Sequence, residues 1–198
     1  MIATARPDVA PRLREIVGAA NCITEPTELR TYEADGLTSF RVRPAVVVLP
    51  TSTEEVAACV KVAREARMPI VPRGSGTGLS GGALPSEDSI VIGLSRMNKI
   101  LSVDLDGLRM RVQPGVINLD ISKYIAPLGY YYAPDPSSQS VGSIGGNVAE
   151  NSGGAHCLKY GFTTNHVTAL TLVLEDGSVV HVGTEFGDPL GYDLVSAI

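Results

Sequence analysis

Residues 72–82 read Pro-Arg-Gly-Ser-Gly-Thr-Gly-Leu-Ser-Gly-Gly, five glycines in eleven positions, and directly follow the apolar pair Ile70-Val71. Glycine reaches positive φ without steric cost, so successive backbone N–H groups can converge on one anion. The missing side chains let that anion approach the main chain, and Ser75, Thr77 and Ser80 add hydroxyl donors. The pattern predicts a loop built for a phosphate or pyrophosphate; a plain surface loop is the alternative. Within it, Gly76-Thr-Gly-Leu-Ser-Gly81 spells G-x-G-x-x-G. That motif marks a dinucleotide site only where it opens a helix, and Gly82-Ala-Leu-Pro85 is a poor helix start. No Gly-Lys-Ser/Thr follows, which excludes a P-loop.

Upstream of the loop, Ala45-Val-Val-Val-Leu49 is a β-branched run closed by Pro50 and predicts a buried strand. Ser52-Thr-Glu-Glu55 forms a capping box, and Val56, Cys59, Val60, Ala63 and Ala66 trace one apolar helix face that ends before Pro69. Strand, capped helix and the Ile70-Val71 strand make a βαβ unit, so the strands should be parallel. Ser89 to Ile92 supplies a third strand. Farther upstream, a short helix is predicted over Ala10 to Ala19, ending near Gly18, and a helical turn over Pro26 to Glu33.

Downstream the pattern changes. Ile100 to Val103 and Arg109 to Val112 flank the turn Asp104-Leu-Asp-Gly107, and Val167 to Leu174 and Ser178 to Val182 flank Glu175-Asp-Gly177. Both read as hairpins, hence an antiparallel sheet, with a helix over Leu119 to Ala126. The fold class is α+β with two packed lobes. Residues 44–93 form the first, with a small parallel sheet. Residues 94–198 form the second, with an antiparallel sheet and helices. A helical segment, 1–43, precedes them.

A chain of 198 residues with 44% hydrophobic and 19% charged residues can build a core. Its net charge of −5 is wrong for a phosphate-backbone binder, which excludes nucleic acid as a partner. The apolar block Ala45 to Leu49 is far too short to span a bilayer. Met1 to Pro11 lacks the apolar stretch of a secretory signal. Cys22, Cys59 and Cys157 are odd in number with no C-x-x-C, which argues against disulfides or zinc and for a reducing, cytoplasmic setting.

A second cluster runs through Pro134-Asp-Pro-Ser-Ser138, Ser143-Ile-Gly-Gly-Asn147, Asn151-Ser-Gly-Gly154 and Tyr160-Gly161. Irregular stretches of this length are usually functional. Asn147 and Asn151, four apart, could bind a ligand; the alternative is that these residues satisfy one another where the lobes meet. His156, His166 and His181 lack metal spacing and read as structural or surface groups, and Cys157 as a buried inert thiol. Tyr130-Tyr-Tyr132 could stack on a ring, though alternation along a strand explains it equally. No serine sits in a nucleophile elbow. Two ligand loops without a nucleophile suggest a cofactor that brings its own chemistry.

Four segments carry a resemblance: 72–85, Val112-Gln-Pro-Gly-Val116, Tyr131-Tyr-Ala-Pro-Asp-Pro-Ser-Ser-Gln139, and Ser143-Ile-Gly-Gly-Asn-Val-Ala-Glu-Asn151 through Lys159-Tyr-Gly161. From about Pro44 onward the sequence resembles the FAD-linked oxidases with a PCMH-type FAD-binding domain, and among them the flavin subunits of the glycolate oxidase type. The resemblance implies FAD held between the two lobes. It assigns the pyrophosphate to Arg73, Gly74, Ser75, Gly76, Thr77 and Gly78 by backbone donors, with the Ser75 and Thr77 hydroxyls assisting. It assigns the adenosine and isoalloxazine regions to Pro134, Asp135, Ser143, Gly145, Gly146 and Gly153, together with Asn147, Asn151 and Gly161. Some relatives tether the flavin through a histidine in the first loop; this loop has none, so the implied FAD is non-covalent.

The implied reaction oxidises a 2-hydroxy acid to a 2-oxo acid by hydride transfer to flavin N5. The implied partners are a second flavin-type subunit and an iron–sulfur subunit. Family members continue well beyond Gly191-Tyr-Asp-Leu194 into a substrate cap, so the chain reads as an N-terminal fragment with no catalytic residue of its own. The alternatives are a truncated, non-catalytic FAD-binding or interaction module, or another FAD enzyme of the same fold.

Overall fold

The computed structural model describes residues 8–184 and 191–198; residues 1–7 and 185–190 of the expected segments lie outside the described residues. A four-stranded sheet organises the first part. It holds β1 (Cys22–Ile23), β2 (Val46–Val48), β3 (Ile70–Arg73) and β4 (Ile90–Gly93) in the order β1-β2-β4-β3. The predicted strands are present and parallel, but β2 and β3 are not neighbours. Strand β4 lies between them, pairing Val46–Val48 with Ile90–Ile92 on one side and Ile70–Arg73 with Ile90–Gly93 on the other. The physical reason is burial: Ile90-Val-Ile-Gly93 is buried at every position, so it takes the centre, while β3 is only half-buried and suits an edge.

Helix α1 (Ala10–Val17) starts on a proline-bearing turn and stops at Gly18, whose φ of 80° permits the reversal. Leu13 and Val17 enter the core beside Val46, Val48, Cys59, Val60, Ile90 and Ile92. Helix α2 (Pro26–Leu29) continues as a 3-10 turn over Arg30–Tyr32 and buries Leu29 on the other face of the sheet, against Val47, Leu49 and Val91. Helix α3 (Thr53–Glu65) links β2 to β3. Ser52 Oγ accepts the Glu55 N–H at 3.3 Å, as the capping box requires. The return bond falls one residue early, because Glu55 accepts from the Thr51 N–H at 2.6 Å. Its buried face is Ala57, Cys59, Val60, Val62 and Ala63, with Val56 and Ala66 half-buried at its margins.

Among the described residues, the second part contains two separate hairpins rather than one antiparallel sheet. Strands β5 (Ile100–Asp104) and β6 (Arg109–Val112) form one, and β7 (Ala169–Val173) and β8 (Val179–Gly183) the other. Helix α4 (Asn118–Ile125) packs Ile121 with Val116 and Ile144 into a small core of its own. The second glycine cluster is more regular than its sequence suggests. It carries α5 (Ile144–Ala149), α6 (Cys157–Tyr160) and a 3-10 turn over Thr163–His166. Glycines in α5 hide the periodicity that would announce a helix. Tyr130 to Tyr132 lie outside any strand, so strand alternation does not explain them. A short helix, α7 (Leu194–Ala197), closes the chain. No helix among the described residues is long and apolar enough to cross a membrane.

Candidate functional site

The glycine loop leaves the end of β3 and runs through bends and turns, with no helix after the glycines. Among the described residues, none of the backbone N–H groups from Gly74 through Ser80 donates a hydrogen bond to the protein. No residue of this stretch is buried, so these donors face outward, toward water or a ligand. Gly76 sits at φ 70°. A Cβ there would collide with the Arg73 guanidinium, so the position needs glycine for both conformation and space. Ser75 is exposed and Thr77 half-buried, which leaves both hydroxyls accessible.

The structure brings the two clusters together at one point. A Cβ on Gly74 would strike Ser143 Oγ and lie 3.7 Å from the Gly146 nitrogen. Ser143 is buried, and its hydroxyl has no hydrogen-bond partner. A Cβ on Gly145 would lie 2.6 Å from Pro114, so this glycine lets the start of α5 press against the preceding turn. A buried hydroxyl without a partner next to a row of unpaired N–H groups fits a phosphate-bearing ligand, whose oxygens would satisfy both.

Several residues expected to face a ligand are instead committed to the protein. Asn147 donates from Nδ2 to Asn118 Oδ1 at 2.8 Å, and Asn118 Nδ2 donates to the Pro134 carbonyl at 3.0 Å, so a buried amide relay ties α4, α5 and the 134 turn together. Asn151 adopts φ 44°, and its Oδ1 accepts the Thr164 N–H at 3.1 Å. Arg73 folds its guanidinium against Gly76 and gives its donors to backbone carbonyls, not to a ligand. It donates to the Ala34 carbonyl at 2.8 Å and the Ala83 carbonyl at 3.4 Å, and lies 5.6 Å from the Tyr32 ring centre. Burial lowers its pKa from the usual value, opposed by the nearby Tyr32 and Asp35. Gly153 accommodates Phe162, and Gly161, at φ 85°, accommodates Asn165.

Asp135 accepts from the His156 backbone N–H at 3.2 Å and pairs with His156 Nδ1 at 2.5 Å. These two bonds hold its carboxyl below the usual carboxylate range. Close by, Tyr131 and Tyr160 meet edge to face at 6.2 Å, and Lys159 Nζ lies 4.8 Å from the Tyr160 ring centre. Hydrogen bonds to Tyr131 and Lys159 hold the Tyr160 phenol below its usual value. Tyr132 packs edge to face on His166 at 5.9 Å, and burial pushes its phenol up to about 12. Cys157 is half-buried rather than buried, and all three cysteines are free. Among the described residues no cluster of His, Cys, Asp or Glu could hold a metal ion.

Sequence reading missed Asn118, which carries no motif, and Asp35. Asp35 is 7% exposed, and its carboxylate accepts the Leu37 N–H at 2.8 Å and the Gly81 N–H at 3.0 Å. The Asp-Gly pair at 35–36 is the signal that could have found it, because Asx side chains bond backbone two residues on.

Residues 44–183 match the FAD binding domain family, about seven-tenths of the chain. The chain belongs to the FAD-binding domain family. As an FAD-binding domain it is 47% identical over 191 residues to the glycolate oxidase subunit GlcD of Escherichia coli (strain K12), covering 96% of this chain and 38% of that subunit. It is 41% identical over 157 residues to the D-lactate dehydrogenase of Anaerostipes hadrus, covering 79% of this chain and 33% of that protein. Among solved structures it matches p-cresol methylhydroxylase with substrate bound at a TM-score of 0.77 and 23% identity, over 88% of this chain and 35% of that one. The fold is therefore the PCMH-type FAD-binding fold, α+β as the sequence predicts. The chain spans less than half the length of these relatives.

Proposed function

We propose that this FAD-binding domain is the cofactor-holding portion of a flavin-dependent 2-hydroxyacid oxidoreductase of the glycolate oxidase or D-lactate dehydrogenase type. The observation that carries the reading is the 47% identity over 96% of the chain to a glycolate oxidase subunit. The unpaired N–H groups of Gly74 to Gly78 support it as the pyrophosphate cradle, aided by the Ser75 and Thr77 hydroxyls. The Ser143 hydroxyl, with Gly145 and Gly146, forms the facing wall. Pro134, Asp135 and Gly153 line the remainder, and Asn147, Asn151 and Gly161 shape it through the bonds they make within the protein. Arg73 serves the cradle through its place at the end of β3, with its side chain engaged elsewhere.

Bound FAD supplies the two-electron acceptor for oxidation of a 2-hydroxy acid to a 2-oxo acid. The residues of this chain bind and orient the cofactor and keep water from its phosphates; none is given a catalytic role. The flavin is held non-covalently, since residues 72–85 contain no histidine. The division into an N-terminal helical segment, 1–43, and lobes 44–93 and 94–198 belongs to the same proposal. So do a second flavin-type subunit and an iron–sulfur subunit as partners. A cytoplasmic location is supported by three free thiols; burial pushes Cys59 up to about 12 and raises Cys22, which keeps both inert.

The test compares thermal unfolding of the chain with FAD, with NADPH and without ligand, followed by dye reduction with glycolate and D-lactate by the FAD-loaded protein. Stabilisation by FAD and not by NADPH is expected. Turnover is expected only when the remaining length of a glycolate oxidase subunit is supplied. Stabilisation by NADPH alone would contradict the proposal, and so would FAD-loaded, full-length protein that is inert toward both acids.

A further inference from the structure

We infer that Asp35 is a positioning residue for the anion-binding loop, and that segment 32–37 is a clip that keeps the loop's N–H groups facing outward. The inference rests on the FAD reading above. A loop with five glycines in eleven residues has no intrinsic reason to hold one shape. Three contacts from outside give it one. Asp35 Oδ2 accepts the Gly81 N–H at 3.0 Å while Oδ1 accepts the Leu37 N–H at 2.8 Å, so one buried carboxylate fixes both its own turn and the far end of the loop. The Gly36 N–H donates to the Gly78 carbonyl at 2.9 Å, which fixes the middle. Arg73 bridges the Ala34 and Ala83 carbonyls, which joins the start of the loop to its end through the clip.

These contacts use the loop's carbonyls and the Gly81 N–H, and none of them uses an N–H from Gly74 to Ser80. The clip thus orders the loop without consuming the donors an anion needs. Its charge is arranged to suit: the anionic Asp35 would repel a pyrophosphate, but the Arg73 guanidinium lies close enough for their charges to interact. Space is also tight. A Cβ on Gly36 would lie 2.7 Å from the Thr77 carbonyl oxygen and 2.9 Å from that of Gly78. An asparagine at 35 replaces one of the two acceptor oxygens with a donor, so it cannot hold the Leu37 and Gly81 N–H groups on separate oxygens as aspartate does.

The experiment uses the 198-residue chain, its Asp35→Asn variant and its Gly36→Ala variant. It reads FAD affinity from flavin fluorescence, ligand-free melting, and the Gly81 amide signal by NMR. Asp35→Asn is expected to weaken FAD binding by at least about tenfold and to abolish the hydrogen-bonded signature of the Gly81 amide. Gly36→Ala keeps every charge and every hydrogen-bonding group. It is expected to weaken FAD binding by displacing Thr77 and Gly78, and it decides the matter if Asp35→Asn does not fold. Variants that melt lower but bind FAD with the wild-type constant would overturn the inference, since a purely structural role predicts that result. A wild-type chain that takes up no FAD, but whose Gly81 amide signature depends on Asp35, would refute the FAD reading and leave the clip supported.

Discussion

The two glycine-rich regions look alike in sequence and behave oppositely in structure. Residues 74–80 leave their backbone donors unpaired and are held by Asp35, Gly36 and the Arg73 guanidinium packed against Gly76. Residues 134–166, Ser143 apart, are tied by side-chain bonds to one another and to α4: Asn147 on Asn118, Asn118 on Pro134, Asp135 on His156, Asn151 on Thr164, and Thr163 Oγ1 on the Ser152 carbonyl at 2.7 Å. The first is a surface offered to a ligand; the second is a scaffold whose glycines let neighbouring segments approach. Glycine content alone does not separate the two roles. The side-chain bonds that knit the second region together, and that residues 74–80 lack, do.

That contrast can be attacked most sharply at Gly76. Gly76→Val forces a β-branched residue to φ 70° and drives it into Arg73. Free FAD at ~100 times its dissociation constant should stabilise the wild type by roughly 2.7 kcal/mol, and this gain is expected to vanish in the variant. An unchanged FAD-induced melting shift would mean that the loop is not the cradle. Asn118→Ala attacks the scaffold instead. It strips the partner from the buried Asn147 amide and from the Pro134 carbonyl, and should cost about 2–3 kcal/mol in urea unfolding. The folded variant should still gain stability from FAD; loss of that gain at unchanged stability would reverse the assignment of the two regions.

Ser143 lies where the regions meet and separates them further. Ser143→Ala removes a buried hydroxyl that has no protein partner. Ligand-free stability should stay level or rise by about 1 kcal/mol, while titration calorimetry should show weaker FAD binding. Destabilisation without ligand would make Ser143 part of the scaffold. The smallest effect is expected at Asp135. Its folded pKa is depressed by His156, so its contribution to stability is present above the ordinary carboxylate range and is lost as pH falls through the depressed value. Melting curves from pH 6 to pH 2.5 should therefore show a slightly shallower acid loss in Asp135→Asn than in the wild type. Identical acid limbs would remove the Asp135–His156 pair from the scaffold.

Much of the fold was legible because it rests on local signals. The run Ala45 to Leu49, the Ser52 cap and the spacing of Cys59, Val60 and Ala63 announce β2 and α3 without tertiary help. The insertion of β4 between β2 and β3 was not legible, because strand order depends on which strand is buried on both faces. The two hairpins were legible from their Asp-Gly turns, but not their separation into two sheets. In the site, the Gly74 to Gly78 loop carried its chemistry in its composition. Asn147 and Asn151 were ambiguous, because an amide four residues from another serves a ligand or a neighbour equally well; only the position of Asn118 and Thr164 resolves which. Asp35 was hidden by distance, since its partner Gly81 is 46 residues away.

The central claim is that these residues hold FAD without a covalent tether. The most direct measurement is the visible spectrum of the purified chain after incubation with FAD and gel filtration, repeated after denaturation and removal of the protein. A flavin band that travels with the folded chain and passes into the filtrate on denaturation is the predicted result. A chain that emerges colourless, and whose melting FAD leaves unmoved, would contradict the account.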